Sequence, residues 1–346
     1  MPIRTLLLCL ALSVLQPVLA PASTLAQTYA ISATIPLGGA GAWDYLLADS
    51  ANRRLYVSHS ADVNVIDLDT QKPVGKLSGF GFIHGILIVK PTLGFLSDGV
   101  KNEVVVFNPK TLQIQTRIKT AANPNSLAYD AGTQRLFIGH KPTKSMTVLN
   151  TATLQIEGSV LLGGLPEFPI ADGNGSIYVN IDDKSEIVRI DARTLEVRAH
   201  WPLAPCESPS GLAYSAATRR LFSACDNKMM AVVDADTGKV IATPAIGGSP
   251  DADAYDPASK LIFSSNDDGT LTLLADRGAD GYDAIQTLAT EPGARTMALD
   301  TKTHFVYISA AKLGPPPTPT PENPTPTHHP TSVAGTFHVI VVKPTK

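Results

Sequence analysis

Hydrophobic residues along this chain occur in short runs, and polar turn residues separate one run from the next. Residues 43–49 (WDYLLAD) and 54–59 (RLYVSH) are strongly apolar and predict two buried strands. Residues 63–69 (VNVIDLD) alternate apolar and polar positions, which is the pattern of a half-exposed strand. Residues 73–79 (PVGKLSG) have the pattern of an outer strand. Together they predict one unit of four strands.

This unit returns along the chain. An aromatic residue inside a short apolar run recurs seven times, at spacings of 39, 42, 41, 44, 41 and 44 residues. The seven landmark aromatics are Tyr56, Phe95, Phe137, Tyr178, Phe222, Phe263 and Tyr307. A period of about 40–45 residues with four strands in each unit is typical of a β-propeller blade. The sequence therefore predicts an all-β fold, a seven-bladed β-propeller with four antiparallel strands in each blade.

The two ends of the repeat region predict how the ring closes. Residues 337–342 (FHVIVV) have the pattern of a third strand, and almost nothing follows them. Residues 28–37 (TYAISATIPL) have the pattern of an outer strand. A strand from the N-terminal end that joins the last blade would remove two free sheet edges. We therefore expect one continuous propeller domain over residues 27–346.

Two segments do not fit the repeat. Residues 1–26 have the features of a signal peptide, with Arg4, an apolar stretch over residues 5–20 and small residues before a cleavage point after Ala26. They predict a periplasmic or secreted protein with no transmembrane segment after cleavage. Residues 314–331 contain eight prolines and predict a loop inserted in the last blade, either a solvated spacer or a lid or docking segment.

Charge and cysteine content narrow the classes of partner. The formal net charge is −3 and no basic run occurs, which makes nucleic acid an improbable partner. Removal of the leader leaves Cys206 and Cys225, near the start of one predicted strand and at the end of the next. In an antiparallel hairpin these positions are neighbours, so a disulfide is geometrically reasonable. Two free thiols or a metal-binding pair remain as alternatives. We expect a monomer.

Five predicted third strands end in Asp or Asn followed three residues later by Thr. The pairs are Asp67/Thr70, Asn108/Thr111, Asn150/Thr153, Asp191/Thr194 and Asp234/Thr237. Asp and Asn side chains open turns because they accept hydrogen bonds from backbone amides two residues on. This pattern predicts turns rather than catalysis.

A ring of polar residues marks the predicted channel mouth. Counting back about ten to twelve residues from each landmark aromatic gives the start of each inner strand, at Asp44, His84, Asn125, Glu167, Ser210, Asp251 and Arg295. The loops that follow the second strands open on the same face, and Asp182, Asp226 and Asp267 are among their polar residues. The predicted mouth residues are Asp44, His84, Asn125, Glu167, Asp182, Glu207, Asp251, Asp253 and Arg295. The ring is either a wet channel or a ligand site.

The same ring contains the candidate chemistry. Asp44, His84, Glu167 and Asp251 are candidate ligands for a divalent metal ion, since carboxylate and imidazole groups bind such ions. Arg295 would orient a carboxylate or phosphate. His59 and His84 are candidate general bases, because an unperturbed imidazole titrates near neutral pH. No Gly-rich phosphate loop, Ser-His-Asp order or CxxCH motif occurs.

With the repeats aligned, the chain resembles the exported YncE-like proteins of the YVTN-repeat β-propeller family. The resemblance lies in residues 41–70, 83–86 (IHGI), 165–168 (LPEF), 172–191, 201–207 (WPLAPCE), 221–227 (LFSACDN) and 293–304. The signature tetrapeptide is degenerate here, as LYVS, IYVN and VYIS. The resemblance implies a seven-bladed fold and export, but no assigned reaction. Lactonases and dehydrogenase subunits share related seven-bladed folds, so enzyme chemistry stays open by analogy.

Three functions follow from these observations. The first is a binding scaffold that presents a polar channel mouth to a protein, glycan or small molecule. The second is a metal-dependent hydrolase or lactonase with its site at that mouth. The third is a redox-partner subunit.

Overall fold

The structure is a computed structural model that describes residues 27–278, 280–315 and 331–345. The chain forms seven sheets, each of four antiparallel strands, which are the seven blades of a β-propeller. Blade 1 contains β2 (Trp43–Asp49), β3 (Arg54–His59), β4 (Asp62–Asp67) and β5 (Lys72–Leu77). Blade 2 contains β6 (Ile83–Lys90), β7 (Leu93–Asp98), β8 (Glu103–Asn108) and β9 (Gln113–Lys119). Blade 3 contains β10 (Pro124–Asp130), β11 (Arg135–His140), β12 (Ser145–Asn150) and β13 (Ile156–Leu161).

Blades 4 to 6 follow the same order. Blade 4 contains β14 (Pro166–Ala171), β15 (Ser176–Ile181), β16 (Glu186–Asp191) and β17 (Val197–Pro202). Blade 5 contains β18 (Pro209–Ser215), β19 (Arg220–Cys225), β20 (Met229–Asp234) and β21 (Val240–Ala242). Blade 6 contains β22 (Pro250–Asp256), β23 (Leu261–Asn266), β24 (Thr270–Asp276) and β25 (Tyr282–Ala289). A single turn of 3₁₀ helix, Asp182–Lys184, is the one helical element in the described residues. No helix in this part of the chain has the length and apolar character needed to cross a bilayer.

Blade 7 closes the ring as predicted. Its sheet contains β26 (Met297–Asp300), β27 (Phe305–Ala310), β28 (His338–Pro344) and, as its outer strand, β1 (Tyr29–Pro36). β1 pairs antiparallel with β28, from Tyr29 opposite Pro344 to Pro36 opposite His338. The two ends of the repeat region therefore share one sheet, and each inner strand lies beside the inner strands of its two neighbouring blades.

The landmark aromatics are the core of the ring. All seven lie in second strands and are fully buried, with 0% of their surface exposed. Two of them also bond to the next blade, since the Tyr56 hydroxyl donates to the Pro109 carbonyl at 3.2 Å and the Tyr178 hydroxyl to the Ala235 carbonyl at 3.0 Å. The recurrence of an aromatic residue about every 40 residues therefore reflects the packing of neighbouring blades against each other.

The Asp/Asn–Thr pattern forms turns, which confirms that prediction. The Asp67 Oδ1 atom accepts hydrogen bonds from the Thr70 amide at 2.7 Å and from the Thr70 hydroxyl at 2.8 Å. The same amide contact recurs at Asn108, Asn150, Asp191 and Asp234. Because Asp67 opens the turn, the third strand of blade 1 ends there, two residues before the predicted end.

A disulfide joins Cys206 to Cys225, with their Cα atoms 5.6 Å apart. It links the loop before β18 to the end of β19, and both residues are buried. This confirms the pairing and excludes the free-thiol and metal-pair alternatives for this structure.

Two predicted segments lie wholly or largely outside the described residues. The signal peptide, residues 1–26, is one of them. The other is the proline-rich insertion, of which only the ends are described. Its ends are adjacent, since the Gly314 amide donates to the Thr331 carbonyl at 2.7 Å, and it separates β27 from β28 as expected.

Candidate functional site

The second residue of the inner strand occupies an equivalent place in six blades. These residues are Asp44, His84, Asn125, Glu167, Ser210 and Asp251. In blade 7 the corresponding residue is Arg295, two positions before β26. Each of the six strands has an irregularity in its pairing at this point, such as the shift between Trp43 and Leu46 in β2. A bulge releases side chains from the regular alternation and re-aims them, which directs this ring toward the axis.

The ring lines a cavity of about 470 Å³ on the propeller axis. All seven blades contribute to it. Its polar lining residues are Asp44, Tyr45, His84, Asn125, Lys141, Glu167, Asp182, Ser208, Ser210, Asp226, Ser249, Asp251, Asp267 and Arg295. A concave volume of this size with convergent polar groups is typical of a small-ligand site. We call this cavity the mouth.

Asp44 and His84 form a contact between blades 1 and 2. The His84 Nδ1 atom lies 2.6 Å from the Asp44 Oδ2 atom, and the Asn125 amide nitrogen lies 3.4 Å from the same ring nitrogen. Burial raises the pKa of the Asp44 carboxyl, and the hydrogen bond and charge of His84 oppose that rise. The adjacent blades are therefore joined at the rim of the mouth by a chain of three polar side chains.

Glu167 pairs with Lys141, which follows β11 in the neighbouring blade. Burial raises the pKa of Glu167 to about 7; Lys141 opposes this rise, and the nearby charges of Asp251 and Asp182 add to it. Burial by itself would lower the pKa of Lys141, but the Glu167 carboxylate raises it overall. Glu167 therefore changes its charge near neutral pH while Lys141 stays protonated.

Arg295 lies between two carboxylates on the opposite side of the mouth. Its Nε atom donates to Asp251 at 2.9 Å, and a terminal nitrogen donates to Asp267 at 3.3 Å. The Ser210 hydroxyl donates to the other oxygen of Asp251 at 3.1 Å. Burial would lower the pKa of Arg295, but the two carboxylates raise it. The guanidinium group is thus already engaged and is not a free clamp for an anion.

Asp182 and Asp226 are two further carboxylates of the mouth. Neither has an ion-pair partner among the described residues, so no neighbouring side chain there neutralises their negative charge. Burial raises the pKa of Asp226, and the charges of Asp182, Asp251 and Asp267 raise it further. The mouth therefore contains six carboxylates against one lysine and one arginine, with His84 held by Asp44. The electrostatic potential inside the mouth therefore favours the binding of a cation.

Three predicted residues lie elsewhere. His59 is buried and stacks on Phe337, with ring centroids 4.0 Å apart, so this candidate base does not line the mouth. Burial lowers its pKa. Glu207 is exposed in the loop before β18, where its backbone amide bonds to Asn227. Asp253 lies deeper, because the chain advances two residues down β22 from Asp251.

Asp253 occupies a position that is apolar in the other six blades. Strand pairing places it opposite Ser264, one residue after the landmark Phe263. The equivalent residues are Leu46, Ile86, Leu127, Pro169, Leu212 and Met297. One Asp253 oxygen accepts the Ala224 amide at 3.0 Å, and the other is buried with no hydrogen-bond partner. Burial raises its pKa to about 8, so this carboxyl is largely neutral at physiological pH.

Sequence reasoning missed Lys141 and Tyr45 as mouth residues. Lys141 directly follows His140, the last residue of β11, and so belongs to the same set of loops as Asp182 and Asp226. Its position directly after a predicted second strand is the feature of the sequence that could have identified it. No feature of the sequence indicates Tyr45, because only the bulge in β2 brings the residue after Asp44 into the channel.

The four candidate metal ligands do not form one group in this structure. Asp44 contacts His84, whereas Glu167 pairs with Lys141 and Asp251 with Arg295. Across the described residues, no three His, Cys, Asp or Glu side chains are arranged so that they could hold a metal ion. The metal site stays a prediction from the sequence.

Comparisons with known proteins show the fold. The chain matches no protein family and no curated protein. It is similar to the solved structure titled "Structure of U3-55K", with a TM-score of 0.73 and 9% identity over 89% of this chain and 97% of that chain. It is equally similar to "Crystal structure of RRP9 WD40 repeats", with a TM-score of 0.73 and 9% identity over 90% and 97% of the two chains. These matches show a β-propeller and do not support the YncE-like family.

Proposed function

We propose that this protein is an exported, non-catalytic binding scaffold of the YncE-like type whose channel mouth binds a positively charged group. The observation that carries this proposal is the mouth itself, a cavity of about 470 Å³ in which six carboxylates converge. Its cationic side chains are engaged by Glu167, Asp251 and Asp267. An ammonium or guanidinium group entering the mouth would meet Asp182 and Asp226, which have no such partner among the described residues.

Export is supported by two observations of different kinds. Residues 1–26 have the pattern of a cleaved leader. The disulfide between Cys206 and Cys225 fits a compartment in which disulfides form and persist. Both support a periplasmic or secreted location.

The binding proposal is tested with butane-1,4-diamine as a probe, by titration calorimetry on the mature chain. We expect the double variant Asp182→Asn/Asp226→Asn to bind the diamine at least tenfold more weakly, because hydrogen bonds to charged groups contribute about 1.5–3 kcal/mol each. Asp283→Asn, which changes an exposed acid on β25, is the matched control and should bind as the wild type does. Equal affinity of all three proteins for the diamine would contradict the proposal.

The same binding should depend on pH and salt. Glu167 has a pKa raised to about 7, so the mouth gains negative charge as the pH rises from 6 to 8. We expect tighter diamine binding at pH 8 than at pH 6, and weaker binding at about 0.15 M salt than at about 0.01 M. Glu167→Gln should reduce the pH dependence over this range. Succinate, an anion of similar length, should not bind; preferential binding of succinate would reverse the proposed charge of the ligand.

The hydrolase alternative has its own discriminating measurement. Elemental mass spectrometry on protein exported in its native host would support it if near-stoichiometric metal were found and then lost in Glu167→Gln. The scaffold proposal expects Glu167→Gln to alter diamine binding without changing metal content.

A further inference from the structure

A second cavity of about 420 Å³ lies deeper in the ring than the mouth. Residues of five inner strands line it, β2, β6, β10, β14 and β18, so it also lies on the propeller axis. Apart from Tyr45 and Tyr129, its lining side chains are all hydrocarbon or glycine. We call this cavity the middle chamber. The channel thus changes from acidic to apolar within the length of one inner strand.

Tyr45 lies at the boundary, because it lines both the mouth and the middle chamber. Its ring packs on Phe168, with centroids 4.7 Å apart. Burial raises the pKa of Tyr45 well above its usual value, and the charges of Asp44, Glu167 and Asp251 raise it further. The phenol therefore stays neutral, with a polar end in the field of the mouth and an apolar ring beside the chamber.

Four apolar residues of the middle chamber are only partly buried. Leu47, Ile88, Phe168 and Ile170 keep accessible surface although they lie inside the ring. The landmark aromatics, by contrast, are fully buried between blades. Hydrocarbon placed in the chamber would remove this apolar surface from water, which is favourable by about 25 cal/mol for each Å².

We propose that the channel binds an amphipathic amine, with its charged group in the mouth and its hydrocarbon part past Tyr45 in the middle chamber. This inference rests on the proposed function and names the chemical class of its ligand. Both volumes lie in the range of small-molecule sites. A polypeptide segment does not suit the chamber, because its backbone amides would find no hydrogen-bond partners among hydrocarbon side chains.

The test is a series of primary amines, butylamine, hexylamine and octylamine, titrated by calorimetry at concentrations where each is monomeric. We expect affinity to rise about fourfold for each methylene that enters the chamber. Octanol and octanoate have the same chain without the cation and should bind more weakly than octylamine. These two probes separate the contribution of the head group from that of the chain.

Two variants test whether the hydrocarbon part of the ligand lies in the middle chamber. Leu47→Trp should fill the chamber and remove the advantage of octylamine over butylamine, while butylamine binds as before. Ile170→Thr shortens the side chain by one carbon and places a hydroxyl in the chamber, and it should reduce the same advantage because part of the apolar lining becomes polar. Ile114→Thr, on the exposed face of β9, is the matched control and should change nothing. Thermal melts of each variant establish that it is folded.

The outcomes separate the two proposals. If butylamine and the diamine bind but chain length has no effect, or if Leu47→Trp and Ile170→Thr leave octylamine binding unchanged, the chamber proposal is wrong and the cation site stands. If no amine binds, both proposals fail. If octanoate binds more tightly than octylamine, the hydrocarbon site stands and the charge assignment of the mouth is wrong.

Discussion

Asp253→Asn is expected to raise the free energy of unfolding at pH 8 by on the order of 4 kcal/mol and to change it little near pH 4. Burial raises the pKa of Asp253 to about 8 in the folded chain, from an ordinary value of 3.8. One pKa unit corresponds to about 1.4 kcal/mol between the two protonation states. Asparagine is neutral at every pH, and its oxygen can still accept the Ala224 amide.

The sign follows from proton linkage. The folded state holds the Asp253 proton more tightly than the unfolded state, so it binds more protons between about pH 4 and pH 8. The stability contributed by the neutral carboxyl is complete below pH 4 and is lost as the pH rises through 8. Wild-type stability therefore falls over this window relative to Asp253→Asn.

Denaturant unfolding at several pH values checks this prediction. Asp283→Asn is the control, because the side chain of Asp283 is 67% exposed and should give a curve parallel to that of the wild type. Parallel curves for Asp253→Asn and the wild type from pH 4 to pH 8 would mean that the Asp253 carboxyl is ionised in the folded chain, contrary to its placement here.

Removal of the disulfide is the second large effect. In Cys206→Ala/Cys225→Ala we expect the free energy of unfolding to fall by about 3 kcal/mol, because the unfolded chain regains the freedom of a closed loop of roughly twenty residues. Both residues are buried, so alanine avoids placing an unpaired hydroxyl in the core.

A reductant provides the control within the same experiment. Reduction of the mature wild type should lower its stability toward that of the double variant, whereas the variant should not respond. A wild type that is equally stable with and without reductant would show that this bond does not stabilise the fold. Retention of the fold in the variant is expected, since the bond lies within blade 5 and ring closure depends on β1 and β28.

The candidate site was predicted in part. The seven ring positions from Asp44 to Arg295 followed from the repeat alone, because equivalent residues of a closed ring must meet at its axis. The charge balance of the mouth did not follow, since it depends on which side chains pair. Lys141 forms an ion pair with Glu167, and Arg295 bridges Asp251 and Asp267. Each of these contacts joins residues of two neighbouring blades, which lie far apart in the sequence.

The sequence by itself determined the number of blades, their four-strand pattern, the closure by β1 and the turns at Asp67 and its equivalents. These features rest on local rules, the two-residue period of a strand and the bonds of an Asp or Asn side chain to nearby amides. The tertiary structure decided which side chains reach the channel. Bulges in the inner strands override the regular alternation there, so Tyr45 reaches the mouth. Packing between strands places His59, at the end of β3, on Phe337, and leaves one oxygen of Asp253 buried without a hydrogen-bond partner.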